Sequence, residues 1–277
     1  MVRVGQVTVL ASPEDLALAI SLAERADQPM TWYGLGLVPL GPVNLIVTRG
    51  QAAFDQATRG RSPSWGAGVT IPGARLIVVR VDGDDPIRVL RHELAHLALH
   101  QSIKGRVPLW FDEGYAVVAA GEFGRLDGLR LNLAVAVGRV PTLPELDRGL
   151  RSSRASAEAS YALAGTAVSW LARRTPTRSL EPVLRRLAAG EPFDSAVARS
   201  TGLTPGRFEL EWRKQVRREY GFGLWLAAGG FWVAVAALVV VASYYRRRRD
   251  RPRRAALDVG WVVAVDEEEE QGSDPTA

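Results

Sequence analysis

His92-Glu93-Leu94-Ala95-His96 is the stretch that decides the fold, and Trp110-Phe111-Asp112-Glu113-Gly114 follows it after a short connection. Residues four positions apart lie on one face of an α-helix, so His92 and His96 can direct two imidazoles at one metal ion. The chain contains 3 histidines, and all of them fall between positions 92 and 100. The clustering of so rare a residue in one stretch indicates a metal-binding helix.

Two imidazoles leave a catalytic zinc site incomplete, because such a site usually takes three protein ligands and keeps a fourth position for water. His100 is the first candidate for the third ligand. At about 1.5 Å per residue it lies roughly 12 Å along the helix axis from His92, too far for bonds of about 2.1 Å to one ion. We therefore expect His100 to be a partly exposed or outer-shell histidine.

Glu113 is the stronger candidate, because the residues that separate it from His96 suffice to finish one helix, turn and lay a second helix against the first. Adjacent helical residues point about 100° apart, so only one of Asp112 and Glu113 can face the ion. We choose Glu113 because Gly114 and Ala116 leave small side chains where the two helices approach. Asp112 is then an acid of the first helical turn or an outer-shell partner.

Glu93 stands beside the two histidines and is predicted to be a general base that takes a proton from the attacking water. Zinc lowers the pKa of a bound water toward about 7 and polarises a carbonyl group. The reaction class that follows is hydrolysis of an amide, in which Glu93 passes the proton to the leaving nitrogen. The sequence has no cysteine, so nitrogen and oxygen are the donors expected for Zn²⁺.

The order of the predicted elements indicates an α+β fold. Alternating valine-rich stretches predict strands at 4–10 and 43–47, and Pro72-Gly73 separates two halves of a β-hairpin at 67–70 and 75–81. Pro86 opens the histidine helix, and a second helix is expected from near Pro108 to about Ala120. We predict a small N-terminal mixed β-sheet with helices packed on it and a mainly helical C-terminal half.

An uncharged segment at 221–245 follows this first domain, which we place at 1–220. Its length exceeds the roughly 20 residues that a bilayer core requires, so the prediction is a single transmembrane helix. A buried core helix is the alternative, but globular helices rarely run this long without a polar face. Residues 246–277 form the third predicted part, a basic and then acidic flexible tail.

The arginine run from Arg246 to Arg254 sets the expected orientation in the membrane. Positive residues favour the cytoplasmic side, so we expect a single-pass protein of the cell membrane with an extracytoplasmic catalytic domain and a cytoplasmic tail. No signal peptide is recognisable at 1–10, which leaves a start further upstream or a tail-anchored cytosolic domain as alternatives. The run is expected to contact anionic lipid head groups, and no nucleic acid is expected as a partner.

His92-Glu-Leu-Ala-His96 with Trp110-Phe-Asp-Glu113-Gly-Tyr-Ala116 resembles the gluzincin branch of zinc metallopeptidases, most closely the bacterial peptidase MA-like domains. The likeness spans about residues 1 to 216. The resemblance implies a zincin-type active-site helix, zinc ligation by His92, His96 and Glu113, and catalytic acid/base chemistry by Glu93. Looser matches lie at Trp65 to Gly73, Leu143 to Leu146, Tyr161 to Ala164, Gly190 to Asp194 and Trp212.

The resemblance also implies two features of substrate binding. A tyrosine of the helical half often stabilises the tetrahedral oxyanion, and Tyr161 is the candidate here, with a core aromatic residue as the alternative. Related domains present an edge strand to extended peptide, and residues 75–81 are either that strand or an ordinary one. The chain lacks the Asn-Glu-x-x-Ser-Asp pattern of thermolysin, so the acid that orients a histidine there has no clear counterpart.

These inferences converge on a membrane-anchored zinc metallopeptidase that hydrolyses peptide bonds in a peptide or protein substrate. The alternative is a catalytically silent scaffold or peptide-binding module tethered to the membrane. Retention of the two histidines, Glu93 and Glu113 favours the enzyme, although an intact site does not by itself define a substrate.

Overall fold

This computed structural model describes residues 1–60, 62, 66–122, 140–220 and 229–258, the last eight of them by their backbone. The chain divides into two compact units, Met1–Leu224 and Trp225–Ala277. The candidate site and all seven described strands lie in the first unit.

The strands of the first unit are short. In chain order they are β1 Val2–Val4, β2 Val7–Leu10, β3 Thr31–Trp32, β4 Gly36–Leu37, β5 Val43–Thr48, β6 Gly68–Ile71 and β7 Leu76–Arg80. Five of them form a mixed sheet in the order β1-β2-β5-β7-β6. The three central strands run parallel, and the two outer strands pair antiparallel with their neighbours. Strands β3 and β4 form a separate antiparallel pair.

The expected strand at 4–10 is divided by a turn. Gly5 adopts a φ of 54°, a conformation that side-chain-bearing residues rarely take, and it ends β1. The Gln6 amide donates to Oδ1 of Asp27 at 2.7 Å, which holds the turn against the end of the first helix. The valines of β2 then alternate as predicted, with Val7 and Val9 buried.

Helices form the rest of the first unit. They are α1 Leu16–Asp27, α2 Gln51–Thr58, α3 Pro86–Ser102, α4 Leu109–Ala119, α5 Leu143–Leu150, α6 Arg154–Arg174, α7 Glu181–Ala188, α8 Phe193–Thr201 and α9 Pro205–Tyr220. The predicted starts of the histidine helix at Pro86 and of the next helix near Pro108 are confirmed. Helix α3 packs against α1, β6 and β7 and so joins the sheet to the helical half.

Helix α4 lies against α3 on one side and against α6 on the other. Phe111, Tyr115 and Ala116 are fully buried along it. Gly114 was expected to allow the close approach of α3. It faces α6 instead: a Cβ at this position would lie 2.4 Å from the carbonyl oxygen of Ala164. The small residue therefore sets the approach of α4 to α6, which in turn fixes how α4 meets α3.

The position of β7 in the sheet tests the expectation that residues 75–81 form a peptide-binding edge strand. Residues 75–81 contain β7, which pairs with β5 on one side and with β6 on the other. They form an interior strand, and the edge-strand interpretation of these residues is wrong. In the described chain, the strand at that end of the sheet is β6, which packs beside α3.

The predicted transmembrane helix at 221–245 is contradicted. Residues 221–228 lie outside the described residues, and no described helix is long and apolar enough to cross a membrane. Helix α10, Phe231–Asp258, contains the uncharged residues 231–245 and continues through the arginine run from Arg246. Its uncharged part is shorter than the roughly 20 residues that a bilayer core requires. The expected single-pass cell-membrane localisation is contradicted by the same finding.

Replacing Gly114 tests the close approach of α4 to α6. We expect Gly114→Ala to lower the free energy of unfolding by about 1–3 kcal/mol, because the added methyl group forces the helices apart. Gly206 in the first turn of α9 is the control, since a Cβ there meets nothing within 4 Å. Gly206→Ala should leave stability unchanged or raise it by up to about 1 kcal/mol. Equal stability of both variants in urea denaturation would contradict the packing argument.

Candidate metal centre

Helix α3 presents the two histidines of the motif on one face. Its first turn is fixed by Pro86 at the start and by Asp85, whose Oδ1 accepts a hydrogen bond from the Ile87 amide at 3.0 Å. Leu90 and Leu94, both buried, anchor the helix in the core. The imidazoles lie on a different side of the helix, where α4 brings its own acids.

The structure brings the side chains of His92, His96 and Glu113 together. The two Nε2 atoms lie 3.2 Å apart, and each lies 3.4 Å from Oε2 of Glu113. Ligands at about 2.05 Å from a tetrahedral zinc ion are about 3.4 Å from one another. The three atoms therefore have the mutual spacing of three corners of a zinc tetrahedron, which leaves the fourth corner for a reacting molecule.

Glu93 is buried beside this group, with an exposed fraction of 6%. The Thr70 hydroxyl of β6 lies 2.7 Å from its Oε2 and 2.8 Å from its carbonyl oxygen. A Cβ at Gly68 would lie 2.5 Å from Oε1, so this glycine of the edge strand makes room for the carboxylate. Burial raises the pKa of Glu93 above its usual range. Neither Thr70 nor Gly68 was found from the sequence, because their role depends on where β6 meets α3.

A carboxylate lies next to the outer nitrogen of each histidine. Nδ1 of His96 lies 2.7 Å from Oδ1 of Asp112, and Nδ1 of His92 lies 3.2 Å from Oε2 of Glu122. Since an ionised carboxylate only accepts, each Nδ1 carries a proton, and in a neutral imidazole the Nε2 lone pair therefore faces the centre. Carboxylates in such positions fix the ring orientation and the tautomer of metal-binding histidines.

Glu122 is the acid that the sequence analysis did not find. It is placed by the end of α4, where Gly121 adopts a φ of 72° and the Glu122 amide donates to the carbonyl oxygen of Val117 at 3.0 Å. This is a Schellman turn, which reverses the chain and directs Glu122 back toward His92. The signal was present, because glycine directly after a predicted helix end is typical of such a turn.

His100 does not reach the group of three. Its Nε2 lies 2.7 Å from Oδ2 of Asp112, so it contacts the centre only through that carboxylate. His96, His100 and Asp112 also have donor atoms within 4.8 Å of one another. However, the contacts of Asp112 with His96 and with His100 have hydrogen-bond lengths and are shorter than a zinc tetrahedron edge of about 3.4 Å.

Tyr161 of α6 lies near the centre. Its ring packs edge to face on His92, with 6.1 Å between the ring centroids. It lines a cavity of about 300 Å³ together with His92, Glu93 and Glu122. Burial and the neighbouring carboxylates, Glu113 first, raise the pKa of Tyr161, so its hydroxyl keeps its proton at neutral pH.

The charges of the centre are strongly coupled. Burial lowers the pKa of His92, but hydrogen bonds to Glu113 and Glu122 outweigh it and raise this pKa to about 9. In the same way Asp112 and Glu113 outweigh the burial of His96 and raise its pKa well above the usual value. Burial raises the pKa of Glu113, but the two imidazoles lower it by more, so this pKa lies below its usual value. The carboxylates around the two imidazoles therefore favour the protonated form of each histidine.

Metal binding should accordingly depend on pH. Below a pH of about 9 a metal ion must displace protons from the histidines, so the apparent zinc affinity should rise with pH, by about tenfold per unit for each displaced proton. Chelator competition at several pH values between about 6 and 8 measures this slope, and titration calorimetry in buffers of different ionisation enthalpy counts the released protons. An affinity independent of pH over that range would contradict the protonated resting state.

Comparison with known families identifies the superfamily of this chain. A family model of the Peptidase MA superfamily matches residues 33–218, a span that contains α3, α4, Tyr161 and Glu122. No curated protein matches the chain. The family match covers more than half of the 277 residues. The expectation of a peptidase MA-like domain is thus confirmed, and the chain belongs to the Peptidase MA superfamily.

Proposed function

We propose that this protein is a zinc-dependent metallopeptidase of the gluzincin type, with His92, His96 and Glu113 as the zinc ligands. One observation carries the proposal, the tetrahedral spacing of three donor atoms beside a buried glutamate. Membership of the Peptidase MA superfamily supports the same reaction class. Zinc held at this position would supply a nucleophilic water at neutral pH and polarise the scissile carbonyl group.

Glu93 is the proposed acid/base. Its carboxylate is removed from bulk water between β6 and the histidines, and its raised pKa brings it closer to the operating pH, where proton transfer in both directions is efficient. The Thr70 hydroxyl fixes Oε2, which leaves Oε1 to receive the proton of the attacking water. The same carboxylic acid then delivers that proton to the leaving nitrogen.

Tyr161 is the proposed donor to the developing oxyanion. Its raised pKa keeps the hydroxyl protonated, and a protonated hydroxyl that is partly buried is a stronger stabiliser of developing charge than one in bulk water. Its packing on the His92 ring holds it on the side of α6 that lines the cavity.

Strand β6 is the proposed peptide-binding edge. It pairs with β7 and with no other strand in the described ranges, and Glu93 lies against its Gly68 and Thr70. An extended substrate added to this edge would run past the acid/base and into the cavity that Tyr161 lines. A peptide or protein is therefore the proposed substrate, and contact of the arginine run at 246–254 with anionic lipid head groups stays a prediction.

Glu93→Gln separates chemistry from metal binding. Because an amide cannot accept the proton, we expect peptide hydrolysis to fall by at least about 100-fold, while about one zinc per chain is retained. Glu24→Gln, the same change at an exposed position of α1, serves as the matched control and should keep full activity. A peptide library read by mass spectrometry and metal analysis of the same samples give both quantities.

Two results would contradict the proposal. Full activity of Glu93→Gln would exclude Glu93 as the acid/base. A wild-type protein that binds zinc and peptides but cleaves none of the library would instead indicate a catalytically silent peptide-binding module.

Tyr161→Phe removes only the hydroxyl group. We expect kcat to fall by about 100-fold with KM and zinc content nearly unchanged, because the lost hydrogen bond forms in the transition state. Tyr115→Phe is the control, since the buried Tyr115 hydroxyl has no hydrogen-bond partner among the described residues. If Tyr161→Phe and Tyr115→Phe had equal kcat values, Tyr161 would be a packing residue only.

A further inference from the structure

His100 is tied to the centre through a single carboxylate. Oδ2 of Asp112 lies 2.7 Å from Nε2 of His100, and Oδ1 of the same group lies 2.7 Å from Nδ1 of His96. Both distances are typical of strong hydrogen bonds to a charged acceptor. The two oxygens of one carboxylate are thus each engaged by a different imidazole of α3.

The direction of these hydrogen bonds follows from the acceptor. Asp112 is ionised, because the two imidazoles, together, lower its pKa by more than burial raises it. It can therefore only accept, so His96 donates through Nδ1 and His100 through Nε2. This contact requires only that Nε2 of His100 carries a proton. The arrangement leaves Nε2 of His96 directed at Glu113.

A second contact matters because Asp112 adjoins Glu113 in the sequence. With His96 as its sole partner, the carboxylate could turn about its Cβ–Cγ bond and offer either oxygen to His96 or to an ion nearby. The hydrogen bond from His100 removes this freedom. The contact is also partly shielded from water, with exposed side-chain fractions of 30% for His100 and 18% for Asp112.

Helix geometry places His100 where it can hold the Asp112 carboxylate in position. His96 and His100 are four residues apart in α3, so their rings follow one another along the same helix face, and Asp112 from the first turn of α4 meets both. Asp112 also lies near the N-terminus of α4, where the helix dipole favours a negative charge. The carboxylate is thereby fixed by two helices at once.

We propose that His100 is a positioning residue of the metal centre, which fixes Asp112 so that Asp112 holds His96 in the orientation for metal binding. The inference rests on the proposed function only in taking His96 as a zinc ligand. It concerns the affinity and geometry of metal binding and does not require that peptides are cleaved.

The test compares His100→Ala with His100→Gln in the full chain. Glutamine retains an N–H donor at a reach similar to that of Nε2, whereas alanine has none. Zinc dissociation constants come from chelator competition, and the visible absorption of the cobalt-substituted protein reports the geometry of the ligands. Arg91→Ala, an exposed change on the same helix, is the control, and thermal unfolding verifies that each variant is folded.

We expect His100→Ala to bind one ion with a dissociation constant raised by about tenfold and with shifted cobalt bands. His100→Gln should restore both properties to nearly the wild-type values, and Arg91→Ala should change neither. Rescue by glutamine is the decisive result, because a merely structural defect would not respond to the restored donor.

Four results would overturn the inference. These are an unchanged zinc affinity in His100→Ala, a folded His100→Gln with the same defect as His100→Ala, complete loss of the ion in both variants, and a wild-type stoichiometry of two ions or none. A wild-type protein that binds zinc and shows the expected variant pattern, yet cleaves no peptide, would refute the peptidase and support the positioning role.

Discussion

The approach of α4 to α3 is the constraint on which the rest of the site depends. The i,i+4 histidine pair is a property of one helix and exists wherever that helix forms. The third donor is not local, since Glu113 reaches the pair only because α4 is packed between α3 and α6. The absence of a side chain at Gly114 allows α4 to pack closely against α6. This close packing on one side of α4 determines where the Glu113 carboxylate lies on the other side.

Ionisable groups surround the centre in successive layers. The inner group alternates imidazole and carboxylate, and each imidazole has a second carboxylate behind it, from Asp112 or Glu122. Arg88 lies 3.5 Å from the outer side of Glu122, and His100 lies on the outer side of Asp112. Each buried imidazole of the centre thus lies beside carboxylates, and such pairing reduces the free-energy cost of removing charges from water.

Local sequence patterns predicted the histidine pair of the candidate site better than they predicted the residues that contact it. Helix periodicity and proline at the helix start were enough for α3, α4 and the pairing of His92 with His96, because these depend on neighbours in the sequence. Glu122, Thr70 and Gly68 could not be assigned in this way, since each meets the centre through a turn or a strand contact that periodicity does not encode. The error at 221–245 had another origin, because the prediction counted uncharged residues along the sequence, whereas the described helix α10 contains only 231–245 of them before its arginines.

Gly68 gives the edge strand an unusual constraint. A strand position normally tolerates many side chains, and β-branched residues are favoured there. At this position even one methyl group would occupy the volume of the Glu93 carboxylate. Sequence drift in β6 is therefore limited by a carboxylate of a different element, and any homologue that carries a larger residue here must have moved that glutamate.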